Sequence, residues 1–193
     1  MNRPEEAVTF FRQAAEIAVT QGDLQKEGIR RSNIAETLRK LQRYDEARTE
    51  ILRAIECDQA FGHAAEPWKT FAILHEIEMA TGNPEAARAA WQRAGDAYLA
   101  YRQQGGCAQA DGGKLADQIL GAVAQGEENE AIEWLTQAAG DEASPDWIKR
   151  FAPKLLAVIR GEDEVALAED SELNYEEAAE VLFLRERLAG LKQ

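Results

Sequence analysis

Cysteine, serine and histidine are all scarce. The chain has two cysteines (Cys57 and Cys107), two histidines (His63 and His75) and three serines in 193 residues. Two thiols cannot form the disulfide framework of a small secreted domain, so a reducing, cytoplasmic setting is the simpler expectation. Long apolar runs are also missing. The longest, Leu155 to Ile159, falls far short of the ~20 residues that span a bilayer. The opening residues, Met1-Asn2-Arg3-Pro4-Glu5-Glu6, hold no apolar stretch that reads as a signal peptide. β-Formers are few: Val, Ile and Thr total 24, against 35 Ala and 17 Leu. Ala and Leu lose little freedom in a helix, whereas β-branched residues prefer strands. Membrane-spanning, disulfide-knotted and mainly-β classes are therefore excluded.

What the chain does have is helix-forming residues, a core's worth of apolar ones and acid. Hydrophobic residues make up 45% and charged residues 30%, enough for a buried core in one domain or one long array. The net charge is −13, unevenly placed. Residues 1–103 carry 14 basic and 16 acidic side chains, and residues 104–193 carry 8 and 19. A phosphate backbone is repelled by such a surface, so no nucleic-acid partner is expected. The acidic half reads either as a solvated face or as a surface that steers a basic partner.

The chain repeats with a period of 40. Pro4–Ala14, Tyr44–Ala54 and Pro84–Ala94 align as PEEAVTFFRQA, YDEARTEILRA and PEAARAAWQRA. Ala7, Ala47 and Ala87 coincide, as do Phe11, Ile51 and Trp91, and then Ala14, Ala54 and Ala94. Small, large and small at these spacings share one helix face and let a neighbouring helix come close. Ala47 and Ala87 are expected at helix–helix seams.

Between the triplets runs a second helical pattern. Leu24, Arg31, Ile34, Ala35, Leu38 and Leu41 form it first, and Trp68, Phe71, Ala72, Leu74, His75 and Ile77 follow. Gln21-Gly22-Asp23, Gln42-Arg43, Gln59 to Glu66 and Thr81-Gly82-Asn83-Pro84 punctuate the helices. The unit is thus helix A, tight turn, helix B and a longer link, about four pairs in all.

The second half continues more loosely. Gln103 to Gly113 reads as a link, followed by a helix through Leu115, Ile119, Leu120 and Val123. After Gly126-Glu127 the triplet returns as Ala131, Leu135 and Ala138, with four residues inserted. Ser144 is a candidate N-cap for a helix bearing Trp147, Ile148, Phe151, Leu155, Val158 and Ile159. Pro153 inside that run predicts a kink or a break. Val165 to Ala168 reads as a short helical piece, Ser171 as another cap, and Asn174 to Leu191 as the terminal helix.

No residue set carries an obvious chemistry. His63 and Glu66, and His75 and Glu78, stand three apart and can share a face. The order is the reverse of Glu-x-x-His, however, and ordinary pairing and packing explain them. No serine lies in a Gly-x-Ser-x-Gly elbow. Cys57 reads as a buried filler, and Cys107 has no adjoining base to activate it. Asp111-Gly112-Gly113-Lys114 lacks the rest of a phosphate loop and reads as a loop running into a helix start. Trp68, Trp91, Trp134 and Trp147 fall at core spacings, while Tyr98 and Tyr101 end a long helix, in reach of a rim. No catalysis, cofactor or metal is expected.

The stretch Ile34-Ala35-Glu36-Thr37-Leu38-Arg39-Lys40-Leu41-Gln42-Arg43-Tyr44-Asp45-Glu46-Ala47, with Ile51 and Ala54 after it, resembles a tetratricopeptide repeat (TPR). Gln42-Arg43 stands where that family has Gly-Asp, and His75 where it has a small residue. The period is also longer than the family's usual one. The resemblance is clear over residues 4–101 and degenerate beyond. It implies an all-α array of tandem helix-turn-helix repeats in a right-handed superhelix, with residues 1–103 as clear repeats and 104–193 as acidic, degenerate ones. It implies a protein-interaction module whose concave face, lined by A helices, takes a peptide or protein. Candidate binding residues there are Arg31, Arg39, Lys40, Trp68, Lys69 and Glu76. The basic run Lys26, Arg30, Arg31, Arg39, Lys40 and Arg43 is either a solvated helix face or a groove wall for an acidic ligand. Ser32 and Glu36 stand where the family's carboxylate clamp has Lys and Asn, which argues against a clamp-type receptor.

The first B-type segment, Pro4 to Thr20, has no A helix before it. It is a cap, a surface for a second copy, or the edge of a piece of a longer protein. Arrays of this kind also occur beside nucleotide-binding or protease modules in bacterial signalling proteins, so a regulatory or sensor region is the alternative.

Overall fold

The computed structural model describes residues 3–162 and 172–191. Among them are nine α-helices and no strand: α1 Pro4–Gln21, α2 Leu24–Lys40, α3 Tyr44–Asp58, α4 Pro67–Ala80, α5 Pro84–Gln103, α6 Asp111–Ala124, α7 Glu128–Gly140, α8 Asp146–Arg160 and α9 Tyr175–Leu191. A 3₁₀ turn, Gly62–Ala65, lies in the link before α4. Neighbouring helices pack as hairpins in a repeat-like arrangement, and the chain divides into two compact units, Met1–Ala97 and Tyr98–Gln193.

The first unit is built on one turn used three times. Gly22, Gln42 and Gly82 are left-handed, with φ of 67°, 60° and 74°. In each case the residue after the left-handed one donates its N–H back to a helix carbonyl: Asp23 to Ala18, Arg43 to Leu38 and Asn83 to Glu78. This closure caps the orphan carbonyls of the preceding helix and restarts the chain in the opposite direction. Glycine adopts the conformation without a Cβ penalty; Gln42 does not.

Close packing follows from the small residues. Ala47, Ile51 and Ala54 are fully buried, as are Ala87 and Ala94, with Trp91 half-buried. Across the α2–α3 seam, a Cβ on Gly28 would stand 3.0 Å from Cys57 Cβ and 3.1 Å from Asp58 Oδ1. Ile34, Ala35 and Leu38 fill the α2 side. His75, the large residue at a small position, is half-buried, and its Nδ1 lies 2.9 Å from the Ala87 carbonyl of α5. α1 differs: its triplet Ala7, Phe11 and Ala14 is only half-buried.

The second unit departs from expectation in four places. The residues read as the end of a link, Asp111 to Gly113, already belong to α6. Here glycine marks a close approach rather than a loop, since a Cβ on Gly113 would come within 2.5 Å of Glu180 Oε1 on α9. α8 runs unbroken through Pro153. The fully buried Phe151, Ala152 and Leu155 around it outweigh the one backbone bond that proline removes. Ser144 does not cap α8; Pro145 holds the cap position and the Ser144 N–H turns back to the Asp141 carbonyl. Trp134, expected in the core, is 46% exposed. The α6–α7 turn repeats the left-handed glycine at Gly126, and Ala131 and Leu135 are buried after it. α9 starts at a reciprocal cap, with Asn174 Oδ1 accepting from the Glu177 N–H and Glu177 Oε2 from the Asn174 N–H. The Val165–Ala168 piece and Ser171 lie outside the described residues.

Two substitutions test this packing. Ala47→Leu overpacks the α2–α3 seam and should cost ~1–3 kcal/mol. Gln42→Gly relieves the left-handed strain at an exposed site and should add roughly 1 kcal/mol. Thermal melts should move in opposite directions. An Ala47→Leu melt equal to wild type would remove Ala47 from the seam.

Candidate functional site

The outward side of the A-type helices in the first unit is a repeated row. Ile29, Asn33, Glu36 and Lys40 follow three- and four-residue steps along α2, opposite the buried Ile34, Ala35 and Leu38. Forty residues on, Lys69, Ile73, Glu76 and Ala80 repeat the row on α4. Ile29 is 51% exposed, Ile73 half-buried and Glu76 exposed.

The charges on this row are already paired. Glu36 accepts from Arg39 Nε at 2.8 Å and Nη2 at 3.0 Å, and pairs with Lys40 Nζ at 3.1 Å. Arg39 Nη1 lies 3.9 Å from Glu76, linking α2 to α4. Lys69 Nζ donates to Glu66 at 2.8 Å. Burial of Glu36 works to raise its pKa, but the bonds from Arg39 and Lys40 win and hold it below the usual carboxylate value. The face is therefore a near-neutral mosaic with two isoleucines, not a bare cationic wall.

Of the six candidate residues, Arg39, Lys40, Lys69 and Glu76 share this face. Arg31 and Trp68 do not. Arg31 points toward α3, with Nε 2.8 Å from Glu27 and Nη1 2.7 Å from Glu50. Trp68, one residue into α4, is 2% exposed and belongs to the core with Phe71 and Leu74. Two further basic residues are paired within the unit. Arg43 bonds Glu46 and Glu5, and Lys26 pairs with Asp23.

Three carboxylates of the unit, Glu27, Glu46 and Glu78, are held as anions, whereas burial raises Asp58. Glu27, 2% exposed, takes Arg53 at 2.9 and 3.1 Å as well as Arg31. The Arg53 bond is the main reason its carboxyl lies below the usual range. Arg48 grips Glu78 at 2.6 and 2.9 Å and lowers it likewise. Glu46, bonded by Arg43 and Arg12, is pulled down to about 2.

One cluster escaped sequence reading. Tyr98, placed by its sequence position in reach of a rim, is 2% exposed and donates its hydroxyl to Glu180 Oε1 at 2.7 Å. Arg102 Nε is 2.8 Å from the same carboxylate, a charge contact off the hydrogen-bond line. The Arg102 guanidinium also bonds Asp117 and lies 4.4 Å above the Phe183 ring. Burial raises the Glu180 carboxyl and pushes the Tyr98 hydroxyl up. Tyr98 and Arg102 stand four apart on α5, the one sequence signal, but Glu180 lies 82 residues from Tyr98.

The residues weighed for chemistry are dispersed. Glu78 serves Arg48 rather than His75. Cys57 is buried, and burial raises its thiol pKa. Among the described residues no group of three or more His, Cys, Asp or Glu is placed to hold a metal ion. No helix among them is long and apolar enough to cross a membrane.

The tetratricopeptide-repeat family model matches residues 31–61, a stretch that includes most of α2, the Gln42 turn and all of α3. Neither a curated protein nor a solved structure matches the chain.

The lowered carboxyls fix a pH dependence. A group whose folded pKa lies below its unfolded value, near 4.5 for glutamate, stabilises the fold above that value. It loses the contribution as pH falls through the folded pKa. Melting temperature should fall as pH drops from 6 toward 2. Glu27→Gln should cost ~1.5–3 kcal/mol near neutrality, the scale of a hydrogen bond to a charged group, and flatten the decline below pH 4.5. A variant with an unchanged acid slope would exclude Glu27 from that stabilisation.

Proposed function

We propose that the chain is a non-catalytic protein-interaction module that receives a peptide or protein segment across the α2–α4 face. The observation that carries this reading is the 40-residue repetition of an outward row on two successive A-type helices. Ile29 and Ile73 supply apolar contact, and Arg39, Lys40 and Lys69 supply donors. Because Glu36 and Glu76 already occupy Arg39 and Lys40, and Glu66 occupies Lys69, the suited ligand is an apolar segment with one or two carboxylates that share the cations. Residues 104–193 carry degenerate, acidic versions of the same helix-turn-helix unit. α1 offers a separate surface, suited to a second copy of the chain.

Selection from a displayed peptide library should enrich segments of that composition. Their binding should weaken as salt rises, since exposed charges are screened within about 8–10 Å. Two variants, Arg39→Glu with Lys40→Glu, and Ile73→Lys alone, should each abolish it. Salt-independent binding that survives both variants would place recognition elsewhere.

A further inference from the structure

The face that α1 leaves open is the face that α2 covers on α3. Register shows this directly. Ala7, Phe10, Ala14 and Ile17 correspond, 40 residues on, to Ala47, Glu50, Ala54 and Cys57. On α3 those positions are closed: Ala47 and Ala54 are fully buried, Cys57 is 1% exposed, and Glu50 is bonded by Arg31 of α2. On α1, Ala7 and Ala14 are half-buried, Phe10 is 66% exposed and Ile17 is 58% exposed. The spacing of the four residues is three, four and three, the seam of a paired helix, and it runs about 15 Å.

We propose that this seam pairs with the α1 of a second copy, antiparallel about a two-fold axis, in a defined register. The proposal rests on the reading of α1 as a surface for another copy. The seam complements itself in size in that orientation. Ala7 meets the partner's Ile17, and Phe10 meets the partner's Ala14. By symmetry each contact occurs twice, so every large side chain enters the space over a small one. At the ends Arg3 stands opposite the partner's Gln21, so no like charges meet. A parallel pairing would set Phe10 against the partner's Phe10 and Ala14 against the partner's Ala14. The large residues would then collide and the small ones leave voids, and both costs are real in close-packed contacts. The Ala positions make room for the large side chains of the partner helix, and an isologous contact of this kind closes as a dimer.

Sedimentation of the full chain should show a dimer that Phe10→Ser weakens by roughly ten-fold or more, the scale of one buried aromatic side chain. Phe10 is exposed, so the variant should keep the wild-type helicity. The register is read by cross-linking in a Cys107→Ser background, which leaves only the buried Cys57. Chains with Arg3→Cys mixed with chains with Gln21→Cys should form a disulfide on mild oxidation, and neither chain should do so alone. Cross-linking of Arg3→Cys with itself would show a parallel pair and overturn the register while keeping α1 as the interface. A dimer broken by Phe10→Ser whose mixed chains do not cross-link would overturn the register in the same way. A wild-type monomer at high concentration, or a dimer indifferent to Phe10→Ser, would overturn the pairing altogether.

Discussion

The fold of the first unit depends on how closely α2 and α3 can approach. Gly28, Ala35, Ala47 and Ala54 carry almost no side chain at the seam, and larger residues such as Ile34, Leu38 and Ile51 fill the space beside it. Such a seam gains its energy from dispersion and area buried at contact distance, and one added methyl is felt. The turn is subordinate to it. A reversal of two or three residues through a left-handed one delivers the next helix at once into contact, and Gln42 tolerates that conformation because the packed helices on both sides over-determine it.

The same closeness dictates where the charge goes. A seam of small residues leaves the helix flanks near one another, and long side chains reach across them. Glu27 is bonded by Arg31 from its own helix and by Arg53 from α3, while Arg48 of α3 reaches Glu78 of α4. Glu27 and Glu78 thus each have two or more charge-assisted donors, the condition under which a buried ion is not a net cost. The basic run of residues 26–43 is thereby divided. Arg31 turns to α3 and holds the unit together, while Arg39 and Lys40 reach the outward row.

This division explains what the sequence made legible and what it hid. Periodicity located nearly every described helix, because helix boundaries and small–large–small triplets are local patterns. The turn chemistry was equally local. Partners were not: Arg12 meets Glu46 at a separation of 34 residues, and Tyr98 meets Glu180 at 82. Composition cannot tell a glycine that loosens a link from one that admits a crossing helix, so the start of α6 was hidden behind Gly112 and Gly113. Trp134 and Trp68 show the same limit. Both sit at helical spacings with apolar neighbours, yet one is exposed and the other buried, because only tertiary packing decides which flank of a stripe meets another helix. Among the candidate residues this separated Trp68 and Arg31 from the four that share a face.

The two rows on α2 and α4 separate what the scaffold demands from what it leaves free. Where a small residue of the B-type helix faces the seam, the repeat keeps it: Ala47 and Ala87 are identical, and so are Ala54 and Ala94. On the outward row the pairs are Ile29 and Lys69, Asn33 and Ile73, Lys40 and Ala80, with only Glu36 and Glu76 alike. The glutamates have a common task, since both anchor Arg39 between the helices. The remaining positions meet no such demand from the fold, and their chemistry differs from one helix to the next. A ligand that crossed from α2 to α4, as proposed, would encounter apolar, polar and cationic side chains in a fixed order. Such an ordered mosaic discriminates between segments by sequence, which a uniformly basic wall does not, because charge attraction alone rewards any acidic chain equally.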